Sequence, residues 1–339
     1  MKRLILIDGI NFFYRGAWGG SDVCTVKGED MSYVLAYFRN LIGLIRRFGT
    51  DDENKYIICW DGGYDERLRI SSEAVEKGLI PKSYKQERRE SHDIEDPEER
   101  AKAESFMRQM KVARDMTGYT IIGQMWKKGE EADDLIGSYS VKYKDDYDEI
   151  LLVTTDKDYY QLLTDKVRIF NSGKCEYKDI TYLKTEYNLD NGEQWVDVGA
   201  LAGESGKSSD TIYGVPGIGY TTAAKLISQY GTLDNLIKTA KLKLNWDIIK
   251  CGGSAKNLYD KVKSKEYKLK EYKKEMTVIA HEEIVDLAKQ LKRIRTFIDL
   301  PLPELNASWF ELDKCFKNMG FPIPNSTIED LTDIGRYGY

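Results

Sequence analysis

The chain has 339 residues and a mass of 39.0 kDa, room for two domains or one large one. Hydrophobic residues make up 41%, enough for a sizeable core, and the net charge of -5 argues against a uniformly basic nucleic-acid coat. No apolar run approaches the roughly 20 residues needed to span a bilayer, and Asp8 cuts the opening run Leu4–Ile7 too short for a signal peptide, so the expectation is a soluble intracellular protein.

Three short apolar runs, Leu4–Ile7, Tyr56–Trp60 and Ile150–Val153, read as buried strands. Helical periodicity lies between them, over Tyr33–Phe48 and Glu98–Met116. Strand alternating with helix predicts an α/β fold built on a parallel sheet. Residues 64–100 break the rhythm: they are charged, weakly periodic and carry Pro81 and Pro97. That is long for a connection and predicts a functional excursion from the sheet. A helix is expected over Asp134–Tyr143 and another over Thr221–Tyr230. After about residue 190 helices dominate, and a Pro-punctuated tail follows Leu300 with no reading of its role.

Each strand runs straight into an acid: Asp8, Asp61, and Asp156 with Asp158. Ligands of open parallel sheets bind beyond the carboxyl ends of the strands, so these groups should meet at one edge. Glu131-Ala132-Asp133-Asp134 opens a helix and adds a fourth group. Singly, such residues are often helix caps. Together they would repel one another, and a buried unpaired charge is costly. The five cysteines contain no C-x-x-C pair and the histidines are only two, His92 and His281. That leaves oxygen-only ligation, which suits Mg²⁺ or Mn²⁺ and phosphoryl chemistry at paired metals.

Gly214-Val215-Pro216-Gly217-Ile218-Gly219 precedes the helix at Thr221. It is not a dinucleotide fingerprint, but glycine-rich backbone before a helix can bind an anion, or simply make a bend. Close behind, residues 238–274 hold 12 lysines, no arginine and 4 acids, a balance of +8, whereas the remainder carries 39 basic and 52 acidic residues. This lysine-rich stretch reads either as a solvated face or as a phosphate contact.

These residues together resemble the flap endonuclease / 5′→3′ exonuclease family, which includes the nuclease domain of bacterial DNA polymerase I and phage 5′ nucleases. The match runs from Leu4 to about Leu236 and is carried by Gly129–Leu135, Thr154–Leu163, Gly203-Glu204 with Ser209-Asp210, and Gly214–Gly219. The likeness implies a PIN-like nuclease domain over 1–190 with a helical arch at about 64–100. A helix–three-turn–helix DNA-binding region over 191–300 and a tail over 301–339 complete the implied arrangement.

By the resemblance, Asp8, Asp61, Glu131, Asp133 and Asp134 would hold a first metal, Asp156 and Asp158 would lie between two sites, and Glu204 and Asp210 would serve a second. The chain departs from the family's Gly-Asp-x-x-Asp, carrying Glu204 and about three extra residues before Asp210. Tyr84-Lys85-Gln86-Glu87-Arg88-Arg89 matches the family's Tyr-Lys-x-x-Arg. Lys85 and Arg88 would share one helix face and grip phosphate, Lys85 stabilising charge at the reacting phosphorus. Tyr84 would stack on an unpaired base, and Arg67 and Arg69 are weaker candidates for phosphate contact. DNA binding would further engage Arg89, Gly214, Gly217, Gly219, Thr222 and Lys225.

The implied activity is hydrolysis of DNA near 5′ ends, nicks or flaps with two or more Mg²⁺ ions, Mn²⁺ being able to substitute. RNA in RNA–DNA hybrids and contacts with replication proteins are further implications. The setting implied is a monomer in the cytoplasm of a bacterium or a phage-infected cell, with no membrane partner. A PIN-domain ribonuclease and a catalytically silent junction-binding protein are the alternatives.

Overall fold

A computed structural model describes residues 1–18, 25–26, 28–50, 53–90, 96–206, 209–251, 273–320 and 323–332. Six strands form one sheet: β1 Arg3–Asp8, β4 Asn54–Trp60, β5 Gly123–Trp126, β6 Glu149–Val153, β7 Val167–Asn171 and β8 Glu176–Lys178. Their order is β5-β4-β1-β6-β7-β8, and all pairs are parallel except β7 with β8. A two-residue hairpin, β2 Thr25–Val26 and β3 Glu29–Asp30, stands apart. The three strands expected from apolar runs are the middle of the sheet. β5, β7 and β8 lie outside that expectation, because their short mixed segments carry no continuous apolar run.

The central strand β1 is sealed on both sides, Leu4, Ile5, Leu6 and Ile7 being fully buried. A strand alternates its side chains, so each sheet face gathers its own core. Leu4, Leu6, Ile57, Cys59, Ile150 and Leu152 pack on one face with α6 Ala132–Lys142 and α8 Glu193–Ala202. Ile5, Ile7, Ile58, Trp60, Leu151 and Val153 pack on the other with α1 Gly9–Trp18, α2 Ser32–Phe48 and α5 Pro97–Thr117. α5 begins with Pro97 at its first turn and Asp96 accepting from the Glu98 backbone N–H at 2.9 Å, a capping arrangement that the missing proline N–H tolerates.

The excursion at 64–100 contains α3 Asp65–Glu76 and α4 Gln86–Glu90 before α5; residues 91–95 of the expected arch lie outside the described residues. Beyond β8 come α7 Ile180–Tyr187, α8, α9 Tyr220–Tyr230, α10 Leu233–Cys251, α11 Lys273–Ala280 and α12 Glu282–Lys292. This is the helical region expected after residue 190. Of the lysine-rich stretch, residues 252–272 lie outside the described residues. Among the described residues no helix is long and apolar enough to cross a membrane.

The tail, unread in the sequence, is part of the second core. Its helices α13 Trp309–Asn318 and α14 Asn325–Thr332 bury Leu312, Phe316, Ile328 and Leu331 with α2. Phe316 meets Phe38 edge to face at 5.1 Å between ring centroids. Replacing this buried ring leaves a cavity, so Phe316→Ala should cost about 3–5 kcal/mol. Phe297→Ala, at a position 80% exposed, should fall within about 0.5 kcal/mol of the parent. Urea unfolding followed by circular dichroism checks both, and equal stabilities would remove the tail from the core.

Candidate active site

The parallel pairing aligns the carboxyl ends of β1, β4 and β6, so Asp8, Asp61 and Asp156 emerge at one edge. β1 is also where the strand order reverses: the chain builds outward through β4 and β5, then returns to β6 and β7 on the other side. Gly62 explains how the second acidic group reaches this edge. A Cβ there would stand 1.9 Å from the Lys127 carbonyl, so only glycine allows the two loops to touch. They hold each other through Gly62 N–H to Glu130 O (2.8 Å) and Gly129 N–H to Gly62 O (2.9 Å). Asp61 then accepts the Ala132 N–H at 2.8 Å and stands beside the start of α6.

The result is an open cavity of about 380 Å³ lined by Asp8, Asp61, Glu131, Asp133, Asp156, Asp158 and Asp210, with Lys85, Arg88, Asn11, Tyr14 and Tyr159 on its walls. Asp8 is held by the Asn11 N–H at 3.1 Å and the Tyr159 hydroxyl at 3.1 Å. Burial, then the charge of Asp61, pushes the Asp8 carboxyl up to about 7. Burial likewise raises Asp133, Asp156 and Asp158 above the usual carboxylate range. Asp8, Asp61 and Asp156 have no ion pair among the described residues. Facing carboxylates without a direct ion pair, all with oxygen donors, are what a hard divalent cation satisfies.

The other acids are already engaged. Oxygens of Glu131, Asp133 and Asp134 lie within 4.8 Å of one another, a spacing that could hold an ion. Yet Asp134 is fully buried and saturated: it accepts from Arg67 at 2.8 and 3.0 Å, from the Arg295 backbone at 2.8 Å and from the Arg295 guanidinium at 2.6 and 3.0 Å. Asp134, expected as a ligand, is thus anchored by two arginines while its oxygens still belong to the group whose spacing could hold an ion. Glu131 accepts from both Arg67 and Lys85. Burial opposes the Lys85 charge, but Glu131 and Asp210 more than offset it and hold the ammonium above its usual range.

The structure places the candidate residues of the 64–100 excursion differently from the sequence expectation. Tyr84 is 2% exposed and its hydroxyl donates to Asp210 at 2.9 Å, so it orients that carboxylate and presents no face to a base. Lys85 has φ +54° and precedes α4, so it and Arg88 do not share a helix face, although both line the cavity. Arg67 is buried among Glu131, Asp133 and Asp134, away from any incoming phosphate. Arg69 is paired with Glu66 and Glu73 on the exposed side of α3. Arg89 is likewise directed to Tyr64 and to the Tyr84 carbonyl.

The departure at Glu204 has a structural answer. Glu204 and Ile212 exchange backbone hydrogen bonds of 2.7 and 2.9 Å, closing the longer loop into a bridge. Asp210 is thereby turned toward Lys85, whose backbone N–H it receives at 2.8 Å. Glu204 points instead to Lys292 and, at 3.3 Å, to the Tyr220 hydroxyl. Of the glycine turn, Gly214 packs backbone to backbone with Gly203, where a Cβ would fall 2.4 Å from the Gly203 nitrogen. Gly217 and Gly219 face open space ahead of α9, with Thr222 half-buried and Lys225 exposed on it. Sequence reasoning missed Lys292, Arg295, Asn11 and Tyr159. Asn11 and Tyr159 adjoin recognised acids, whereas nothing around Lys292 and Arg295 marks them as partners of residues over 80 positions away.

Comparison with known proteins gives a consistent picture. The family model of the 5′-3′ exonuclease N-terminal, resolvase-like domain matches residues 3–189, and that of the 5′-3′ exonuclease C-terminal SAM fold matches residues 191–314. A thermostable DNA polymerase I of Thermus thermophilus is 28% identical over 302 residues, covering 88% of this chain; the chain spans 29% of that polymerase's length. A 5′-3′ exonuclease of Streptomyces coelicolor is 30% identical over 236 residues, covering 68% of this chain and 72% of the relative. The solved structure of T5 5′-exonuclease with bound zinc superposes with a TM-score of 0.66 at 20% identity, covering 98% of this chain and 97% of its own. The catalytic core of Rad2 in complex with DNA substrate gives 0.53 at 16% identity, covering 97% and 91%. At such identities the structural likeness is one of fold.

The electrostatics predict opposite effects for two neighbouring acids. The Asp8 carboxyl has an ordinary value of 3.8 and a folded value of about 7, so between those limits the folded chain binds the extra proton. Its contribution is favourable at low pH and is lost as pH rises through about 7. In chelator, the melting temperature should fall over that window, Asp8→Asn should flatten part of the fall, and Mn²⁺ should stabilise more at pH 8 than at pH 5. Asp134→Asn leaves Arg67 and Arg295 under-compensated and should cost about 3–5 kcal/mol with or without metal. Differential scanning calorimetry across pH checks these outcomes; a pH-independent melt would dismiss the strained cluster.

Proposed function

The chain belongs to the 5′-3′ exonuclease family, and on that basis we propose that it is a divalent-metal-dependent nuclease. Its substrate is DNA, cut at a phosphodiester near a 5′ end or a junction between single strand and duplex. The observation that carries this reading is the meeting of Asp8, Asp61 and Asp156 at one sheet edge without a cationic partner among the described residues. Asp8, Asp61, Asp133, Asp156 and Asp210 would hold the metal, with Mg²⁺ the natural occupant and Mn²⁺ a substitute. A metal bound there supplies a Lewis acid and a water of lowered pKa.

The chain's own groups do the rest. Tyr159 and Asn11 fix the orientation of Asp8. Lys85 stays charged throughout the working pH range and stands at the cavity wall, where it can meet developing charge on a phosphate oxygen once substrate competes for it with Glu131. Arg88 offers a second, exposed cation on the same wall. The open turn at Gly217 and Gly219, with Thr222 and Lys225 beyond it, would hold duplex by its backbone and so fix register without reading sequence. Residues 191–300 would thus serve as the DNA-holding half and residues 1–190 as the cutting half. The acidic cavity repels nucleic acid, so metal and lysines must together outweigh it.

A 5′-labelled flap duplex incubated with and without Mg²⁺ tests the reading: cleavage near the junction only with metal is expected. Equal cutting of single-stranded RNA would favour a ribonuclease, and binding without cutting at every metal concentration a silent junction binder. Asp156→Asn should abolish cleavage while DNA binding persists or tightens, since one negative charge is gone. Lys85→Ala should slow single-turnover cleavage by more than about tenfold. An unchanged rate would reduce Lys85 to a wall residue.

A further inference from the structure

Lys292 ends α12 and its side chain is 2% exposed. Its ammonium donates to both oxygens of Asp158, at 3.1 and 3.0 Å, and to Glu204. The stem lies over Gly199 of α8, where a Cβ would come within 3.3 Å of the lysine Cγ, so that helix carries glycine where the lysine passes. The backbone is pinned as well: Gln161 donates to the Lys292 carbonyl at 3.0 Å and to the Asp158 carbonyl at 2.9 Å, and accepts from the Ile294 N–H at 2.9 Å. The lysine is therefore built into the turn that carries Asp158. Asp156, two residues earlier in that turn, has no ion pair among the described residues.

We propose that Lys292 is an internal counter-ion that occupies Asp158 and Glu204, so that this end of the acidic cluster takes a divalent ion only by displacing an ammonium. The reading rests on the metal-dependent function proposed above. One ion is then held tightly at the Asp8, Asp61 and Asp156 end, and a second weakly. Glu204, a methylene longer than aspartate, is the side chain that completes the bridge to the lysine. Lys292 acts as a positioning residue: in the ion-free state it screens two carboxylates that would otherwise repel each other and the DNA.

Mn²⁺ titration of the full chain without DNA, with free Mn²⁺ read by electron paramagnetic resonance, tests this apart from activity. Wild-type protein should show one tight and one weak ion. Lys292→Met keeps the stem and removes the charge, and should tighten the weak ion by at least about tenfold, an ammonium in contact with the carboxylates having been removed. An unchanged or weaker second ion overturns the proposal. Should that variant fail to fold, Asp158→Asn decides: the tight ion should keep its affinity within about twofold, because Asp158 is already taken, and a loss beyond about tenfold overturns the proposal. Absence of any bound Mn²⁺ in wild-type protein would instead sink the metal-dependent function itself.

Discussion

Mutual repulsion among carboxylates is the constraint around which this molecule is arranged. A parallel sheet brings Asp8, Asp61 and Asp156 to one edge by topology alone, since three strands of the same direction end together. Holding like charges so close at an edge where Asp61 and Asp156 stay exposed to water is still unfavourable. The structure answers with cations on the flanks: Arg67 and Arg295 on Asp134, Lys85 on Glu131, and Lys292 on Asp158 and Glu204. These struts leave the middle of the cluster uncompensated. Among the described residues, the carboxylates left without a direct ion pair, Asp8, Asp61 and Asp156, all line the cavity.

The struts also tie the two halves of the chain together. Arg67 sits on α3 and also donates to the Leu291 carbonyl at 3.0 Å, while Arg295 lies 161 residues from its partner Asp134. Tyr84 and Lys85 reach Asp210, and Tyr220 reaches Glu204. The helical half therefore contributes to the acidic site through its polar side chains, beyond packing against the sheet. A shift of α8, α9 or α12 would be felt as a change of charge balance at the cavity.

Much of this was legible in the sequence because strands that end in Asp, and an acidic helix start, follow local rules. The central strands β1, β4 and β6 announce themselves by continuous β-branched and leucine runs, and α2 by its periodicity. β5, Gly-Gln-Met-Trp, has no such run and owes its existence to pairing with β4. Long-range ion pairs were illegible for a different reason. Arg67 reads as a weaker candidate for phosphate contact, and only the tertiary fold buries it beside three acids. Tyr84 was misread in the same way: an aromatic next to a lysine suggests stacking, and only its burial shows that its hydroxyl, not its ring, faces the site. Glu204 stands out in the sequence as a departure from the family pattern, but its partner, Lys292, lies 88 positions on.

The placement of the tail has a consequence for biogenesis. Phe38 and Leu41 of α2 belong to the same core cluster as Phe316 and Leu331, nearly three hundred residues later. A ribosome delivers α2 long before those partners emerge, so one face of this layer stays uncovered until α13 and α14 follow. Local helices and the central strands can form early, but that side can close only once α13 and α14 dock. Closure of this flank therefore waits for α13 and α14, and nascent chains stalled short of α13 would carry a sticky aromatic flank exposed to chaperones and to one another.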